Sequence, residues 1–376
     1  MIDLQRLRAV LRKELTQLLR DRITLLLIFM MPLLELFFFA YAVNLSVDHI
    51  PTAVCDLSLD VRSRDFTDAL VASGYFDIAE YAAGEADVIA ALDEGRVRAG
   101  IVIPPDFAAQ VARGQGEVLI ILDGSDTYSV QAAYSAATAI AQHHALDLMV
   151  EKLRRQGQTF ELMPVESSVR VLYNPTLDGL IFIVPALIAM LLQILTVNLT
   201  AQSIVREWEL GTIEQLLATP IRPLELILGK LLPNLIIAAV ALVLIALIGF
   251  VGMGVPFRGS VLLFAALSLL FAISGLGLGL LVSTVAHTQN EAESITSMLM
   301  LLSMLLTGFI YPREPMPAIV RLVGALIPLT YFVRIVRGVV TRGVGLTLVW
   351  QDVAALAIYA ALAMYLAARF FHLRLD

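Results

Sequence analysis

Two groups of ionisable residues fall where an apolar chain would be expected to carry none. Glu35 lies near the middle of an apolar run, Ile23 to Val43. Arg206, Glu207, Glu209, Glu214, Arg222, Glu225 and Lys230 fall between two long apolar runs. Unpaired charge is costly in hydrocarbon. A carboxyl placed like Glu35 is therefore protonated, paired with another helix, or turned toward a wet cavity. It reads either as a pathway or proton-coupled group, or as a structural hydrogen bond between helices. The second group, by the same cost, belongs in water or against another protein. Val205 to Leu217 holds no proline and many helix formers, and Pro220 and Pro223 would stop a helix. At helical spacing Glu207, Gly211 and Glu214 share one strip, and Leu210, Ile213 and Leu217 share another. That pattern fits a docking helix for a soluble partner or, more plainly, a structured interfacial loop.

Residues that could support catalysis are scarce. His143 and His144 are adjacent, so they point to different helix faces and cannot chelate together. Ser58, Ser63 and Ser73 lack a nucleophile-elbow context. Asp123-Gly124-Ser125-Asp126 reads as a turn and helix cap. Cys55 is the lone cysteine, and with five histidines a Cys/His zinc site is not expected. No G-x-x-x-x-G-K-[ST] occurs, so no phosphate-cradling loop is expected, and no ATP bound by this chain. We expect no catalytic residue, no metal and no cofactor on the chain itself.

The elements that must position the charged groups are mostly apolar. Of 376 residues, 59% are hydrophobic and 16% charged, far from the balance of a soluble domain. A net charge of −7 argues against nucleic-acid binding. Residues 1–22 read as an amphipathic helix. Leu4, Leu7, Leu11, Leu15 and Leu18 form its stripe, with Arg6, Arg12, Lys13 and Arg20 on other faces. Such a helix suits an interface with anionic lipid, and its basic cluster places the N-terminus in the cytoplasm. Glu14 interrupts any heptad. No cleavable leader is expected. Residues 23–43 form a first span of about the ~20 residues a bilayer needs. Residues 44–176 differ in kind. Strands are expected at Thr52 to Cys55, Tyr75 to Tyr81, Ala99 to Ile103 and Val118 to Leu122, with a return at Ser167 to Leu172. Helices are expected at Val61 to Ala72, Glu85 to Glu94, Pro105 to Arg113 and Asp126 to Arg155. The alternation argues an α/β domain, and one preceding span from a cytoplasmic start makes it face outward from the membrane.

Residues 177–376 supply five more spans: Leu177 to Ser203, Leu231 to Met253 with Pro233 in its first turn, Ser260 to Val285, about Ala292 to Tyr311, and Thr347 to Ala368. Gly275 and Gly279 make a G-x-x-x-G step that lets helices approach. Pro312 to Gly345 reads as two short helices in the outer interface, with their arginines among Arg313, Arg321, Arg334, Arg337 and Arg342 snorkelling to headgroups. The fold class expected is a polytopic α-helical membrane protein with six transmembrane helices. An α/β extracytoplasmic domain is inserted between the first and second.

The charged stretch resembles the loop of ABC-2 type permeases, membrane subunits of ATP-driven exporters. Their pattern G-T-x-E-x-L-L-x-T-P, then E-x-x-x-G-K and a proline, falls on Gly211, Thr212, Glu214, Leu216, Leu217, Thr219, Pro220, Glu225, Gly229, Lys230 and Pro233. G-F-I-Y-P-x-x-x-M-P at Gly308 to Pro317, P-L-x-Y-F at Pro328 to Phe332 and Arg337-Gly338 resemble the family's outer re-entrant segment, here 312–345, with Pro317, Tyr331 and Arg337 its marked residues. The family carries an acidic-Asn pair where this chain has Glu314-Pro315. The resemblance implies a drug-export-like permease of the inner membrane, with both termini cytoplasmic. ATP and Mg would be bound by a separate P-loop ATPase. That partner would meet the loop 204–230 at Arg206, Glu207, Gly211, Thr212, Glu214, Leu217, Thr219 and Pro220. It further implies a second permease copy or a sister permease around the pathway, contact with membrane lipid, and a periplasmic adaptor as a further partner. Other readings of the same residues are a membrane-anchored receptor or scaffold with a sensing outer domain, and a secondary transporter using Glu35.

Overall fold

The computed structural model describes residues 3–42, 49–123, 133–143, 145–146, 173–174, 178–213, 223–311, 313 and 315–375. The chain divides into two compact units, Leu45–Arg170 and the remainder.

The smaller unit begins with strand β1 (Ile50–Asp56), helix α3 (Val61–Ala72) and β2 (Phe76–Tyr81). Helix α4 (Glu85–Asp93), β3 (Ala99–Ile103), α5 (Phe107–Arg113) and β4 (Leu119–Leu122) follow. The sheet order is β2-β1-β3-β4, with β1 parallel to β2 and β3, and β4 antiparallel to β3. Parallel pairing needs a crossover, which α3 and α4 supply. Ile50, Val54, Ile101 and Ile103 pack with Phe66, Leu70 and Phe107 on one face. Ala53, Cys55 and Val102 pack with Val88 and Ala91 on the other. Asp60 caps α3, accepting from Ser63 N at 2.8 Å. Residues 133–143 are helical; most of the expected helix from Asp126 to Arg155, and the strand at Ser167 to Leu172, lie outside the described residues.

The larger unit is helical. It comprises α1 (Leu4–Arg20), α2 (Arg22–Ala42), α6 (Gly179–Glu209), α7 (Pro223–Leu247), α8 (Val261–Val285), α9 (Gln289–Leu306), α10 (Ala318–Ala325), α11 (Leu329–Val336) and α12 (Leu346–Leu375). Wider π turns extend α7 over Ile248–Gly252 and α11 over Arg337–Arg342. Capping side chains mark the starts: Asp3 for α1, Asp178 for α6, Ser260 for α8 and Thr288 for α9. Helix α6 is the hub of this unit. Its buried residues from Ile183 to Leu192 pack with Leu36, Leu242, Phe271 and Phe332, where the rings of Phe271 and Phe332 stack at 4.1 Å. Gly275 and Gly279 of α8 lie against α6. A Cβ at Gly275 would stand 2.1 Å from Thr196 Oγ1, and one at Gly279 2.4 Å from the Val197 carbonyl oxygen. Glycine is required there for the two backbones to approach.

Four expectations are corrected. First, the helix expected at Val205 to Leu217 is not separate. Its first residues are the last turn of α6, which runs unbroken for 31 residues and stops at Leu210. Gly211, at φ +68°, takes the left-handed conformation that ends helices. Residues 204–209 of the expected loop 204–230 thus belong to α6 and residues 223–230 to α7; Thr212 and Ile213 are again helical, and residues 214–222 lie outside the described residues. Second, α7 opens at Pro223, not near Pro233, so Pro223 takes the first-turn place and Pro233 is interior. Third, the helix expected at about Ala292 to Tyr311 spans Gln289–Leu306, and its first turn carries Gln289, Asn290 and Glu291. Among the described residues five helices are long and apolar enough to cross a membrane: α2, α6, α7 with its π turn, α8 and α12. Helix α9 is not among them; the pair α10 and α11, bent by 87°, makes up to six if it counts as one span. Fourth, Arg337 turns inward rather than snorkelling, because its guanidinium finds two carbonyl acceptors, Gly308 O and Phe309 O, beyond the end of α9. At the bend between α10 and α11, Thr330 Oγ1 donates to Gly324 O, which also accepts from Ile327 N, and Tyr331 OH donates to Ala325 O.

Candidate functional site

Helix α1 carries one acidic residue in its interior, Glu14, and buries it. Val10 and Glu14, one turn apart, are its buried positions. The partner surface is the first half of α7, where Glu225, Gly229 and Lys230 follow at helical spacing. Glu225 is fully buried and its Oε1 accepts from Asp3 N at 2.8 Å, at the start of α1. Gly229 makes room for Val10, since a Cβ there would lie 2.5 Å from Val10 Cγ1. Lys230 Nζ donates to Glu14 Oε1 at 3.0 Å, Glu207 Oε1 at 3.2 Å and the Ser203 carbonyl at 3.1 Å. Lys13 Nζ closes the arrangement, reaching Glu14 Oε1 at 3.1 Å and Glu207 Oε1 at 2.6 Å. Thr212 Oγ1 donates to the other oxygen of Glu207, which ties the residue after Gly211 to the same group.

The result is a ring of two lysines and two glutamates from α1, α6 and α7. The side chain of Lys230 is 3% exposed, that of Glu207 9% and that of Glu14 10%. Buried charges persist when each is paired and hydrogen-bonded, as here. Burial alone would lower the pKa of Lys13. The hydrogen bond from Glu207 and the charge of Glu14 outweigh it and hold the ammonium above its ordinary value. Beneath the ring Val10, Ile204, Ile213, Leu226, Leu231 and Leu280 form one apolar cluster.

Beside the ring opens a groove of about 1640 Å³ between α1, α2, α6 and α9. Arg12, Lys13 and Arg206 line one part of it, and Glu35, Asn198 and Thr296 another. Glu35 is half-buried and makes no hydrogen bond or ion pair among the described residues. Asn198 Oδ1 is buried without a partner. The lining is mixed: near Glu35 and Asn198 it includes the apolar side chains of Leu27, Met31 and Leu195, and elsewhere it is polar and charged.

Of the residues singled out in the sequence, the structure brings Glu207 and Thr212 into the ring, with Arg206 and Gly211 exposed beside it. Glu35, Arg206, Glu207 and Thr212 share the groove. Glu214, Leu217, Thr219 and Pro220 lie outside the described residues. Pro317 precedes α10, and Tyr331 and Arg337 lie at the far ends of α6 and α9, apart from the ring. Glu14 and Lys13 were missed as site residues. The available signal was a lone acid on a basic helix, opposite a buried lysine in E-x-x-x-G-K. Among the described residues no three His, Cys, Asp or Glu side chains are placed to hold a metal.

Long apolar helices around a common hub, with a charged joint at one end and a polar-lined groove beside it, define a multi-pass helical membrane protein of the transporter class. Residues 22–369 match the family described as ABC-2 family transporter protein, and the chain belongs to that family as the membrane subunit of an ABC transporter. It is 33% identical over 342 residues to "Probable multidrug ABC transporter permease YbhS" of Escherichia coli (strain K12), covering 90% of this chain and 89% of that one. It is 29% identical over 357 residues to "Probable multidrug ABC transporter permease YbhR" of the same organism, covering 95% of each. It is 28% identical over 348 residues to "Inner membrane transport permease YhhJ", covering 90% of each.

Proposed function

We propose that this chain is the permease of an ATP-driven exporter of the inner membrane, driven by a separate P-loop ATPase that docks on the loop after α6. Both termini face the cytoplasm and the α/β unit faces outward. Two permease copies, or this chain and a sister permease, enclose the pathway, and the groove containing Glu35 forms part of its wall. The outer unit is a candidate seat for a periplasmic adaptor. Cargo is lipophilic or drug-like, or cationic, in keeping with the multidrug designation of the relatives and with a carboxyl facing a groove of mixed polar and apolar lining. ATP and Mg belong to the partner, and the basic face of α1 meets anionic lipid.

The observation that carries this reading is the ring. It fastens both flanks of the loop, α6 at Glu207 and α7 at Lys230, to α1. A push on the loop would therefore move three helices together instead of being absorbed by slack. Only a ligand that binds two arrangements unequally can drive such a shift, and closure of an ATPase pair on nucleotide meets that requirement. Glu214 lies in the sequence between α6 and α7. In proteoliposomes holding this chain and its ATPase, Glu214→Lys is expected to leave the chain inserted but to abolish the permease's effect on ATP hydrolysis. Unchanged stimulation by that variant would refute docking at this loop.

A further inference from the structure

Helix α9 is held at its two ends by contacts from different parts of the chain. At its N-terminus Glu209, the last residue of α6, accepts from Gln289 N at 3.2 Å and Gln289 Nε2 at 2.8 Å. A carboxylate at a helix N-terminus is favoured by the helix dipole. At its C-terminus Arg337, where the π turn after α11 begins, donates to Gly308 O at 2.9 Å and Phe309 O at 3.0 Å. This is the matching arrangement, a cation at the negative pole. The Arg337 guanidinium also lies over the ring of Phe182, in the first turns of α6, at 3.9 Å. In the last turn of α9, Gln193 Nε2 of α6 donates to Ser303 Oγ at 2.9 Å. One face of α9 packs along α6, with Ala292, Ile295 and Leu299 against Val197, Ala201 and Val205, while Met298, Leu301 and Leu305 on the other face are exposed.

The outer contact is an unusual one. Arg337 has no ion pair among the described residues, and its Nε is buried without a partner. It is fixed instead by two main-chain carbonyls, so its position depends on where the backbone at the end of α9 lies. Gly308 enables this, since φ +87° turns the chain after α9 and presents its carbonyl. Helix α10 presses on the same place, because a Cβ at Gly324 would stand 2.4 Å from the Leu306 carbonyl oxygen. An 18-residue helix is about 27 Å long and holds its length.

We propose that α9 is a strut. A displacement of the α6 end at Glu209 is carried along α9 to Gly308 and Phe309, and Arg337 is the positioning residue that passes it to the bent pair α10 and α11. This rests on the reading that force enters at the loop after α6, and it names the route to the opposite end. The coupling must run in both directions, since linkage between two sites is reciprocal.

The test uses the full chain in lipid nanodiscs with no ATPase present and follows backbone hydrogen exchange at residues 287–291 and 307–311, with 224–232 as reference. Glu209→Gln is expected to speed exchange at 307–311 at least threefold, and Arg337→Gln to speed it at 287–291 by a similar factor. The double variant should exceed neither single effect by much, and Arg337→Lys should restore most of the protection. The proposal is overturned if each variant alters only its own end, if exchange changes nowhere, or if the reference segment speeds up equally. Because no ATPase is in the sample, such a failure leaves docking at the loop untouched; loss of docking in the Glu214→Lys experiment likewise leaves the strut standing.

Discussion

The two ends of the helical unit are fastened by opposite uses of charge. At the α1 end, four ionised groups from three elements compensate one another in a closed ring, with Lys230 almost fully enclosed. At the far end, a single guanidinium faces two carbonyls and an aromatic ring. A closed ring is expensive to break from one side, because each loss leaves a buried charge uncompensated. A cation on carbonyls gives up much less, and it follows backbone position instead of locking it. The first arrangement suits a rigid joint and the second a contact that moves with the backbone at the end of α9.

The largest expected effect follows from opening the ring at its centre. Lys230→Met leaves Glu14 and Glu207 facing each other with only Lys13 between, at a cost of about 3–5 kcal/mol. Denaturation of the detergent-purified chain measures this, and proteolysis within α1 should accelerate. Adding Glu14→Gln should recover part of the loss; a cost under about 1 kcal/mol for the single change would mean that the ring does not hold α1. Next comes Gly229→Val, which drives a side chain into Val10 and should cost about 1–3 kcal/mol. Val10→Ala in the same chain should relieve it, and no relief would place the strain elsewhere. At the far end Phe182→Leu should cost about 1 kcal/mol, through the lost cation–π contact, and leave α1 as protease-resistant as before. A loss as large as that of Lys230→Met would erase the contrast between the ends.

The smallest effect is at the exposed member of the ring. The Lys13 side chain is 42% exposed, so Lys13→Met should cost only about 0.2–1 kcal/mol. Its pH dependence has a definite sign. A lysine whose folded pKa is raised adds stability that is complete below its ordinary value of 10.5 and disappears as pH climbs through the higher folded value. The stability difference between wild type and Lys13→Met should therefore be constant from neutrality to about that pH and shrink above it. Shrinkage already near neutrality would show that Lys13 is not held by the two glutamates.

Legibility in the sequence followed range. Helix α3 and strand β3 have the boundaries that their residues announce, and β1, β2 and β4 differ by a residue or two at their ends. Alternation, helix caps and turn glycines act within a few residues, so they can be read in order. The apolar runs marked α2, α8 and α12 for the same reason. The reading erred where a stop signal had to be ranked. Gly211 ended a helix expected to continue past it, while Pro233 was accommodated inside α7, because neighbouring helices rather than local preference decide how much disruption a buried helix tolerates.

The residues of the candidate site divide along the same line. Glu35 and the charges from Arg206 to Lys230 stood out by themselves, because an ionisable group in an apolar chain is costly wherever it ends up. That Glu14 lies 216 positions from Lys230 and yet touches it was invisible, as was the inward turn of Arg337 onto carbonyls 28 and 29 residues away. Composition, hydropathy and short motifs, by themselves, determined a membrane protein with helical spans, a separate α/β segment and a charged loop that had to find a polar setting. Tertiary packing alone decided which charges would share that setting, because the gain from pairing them exists only once the helices that carry them have excluded the water between.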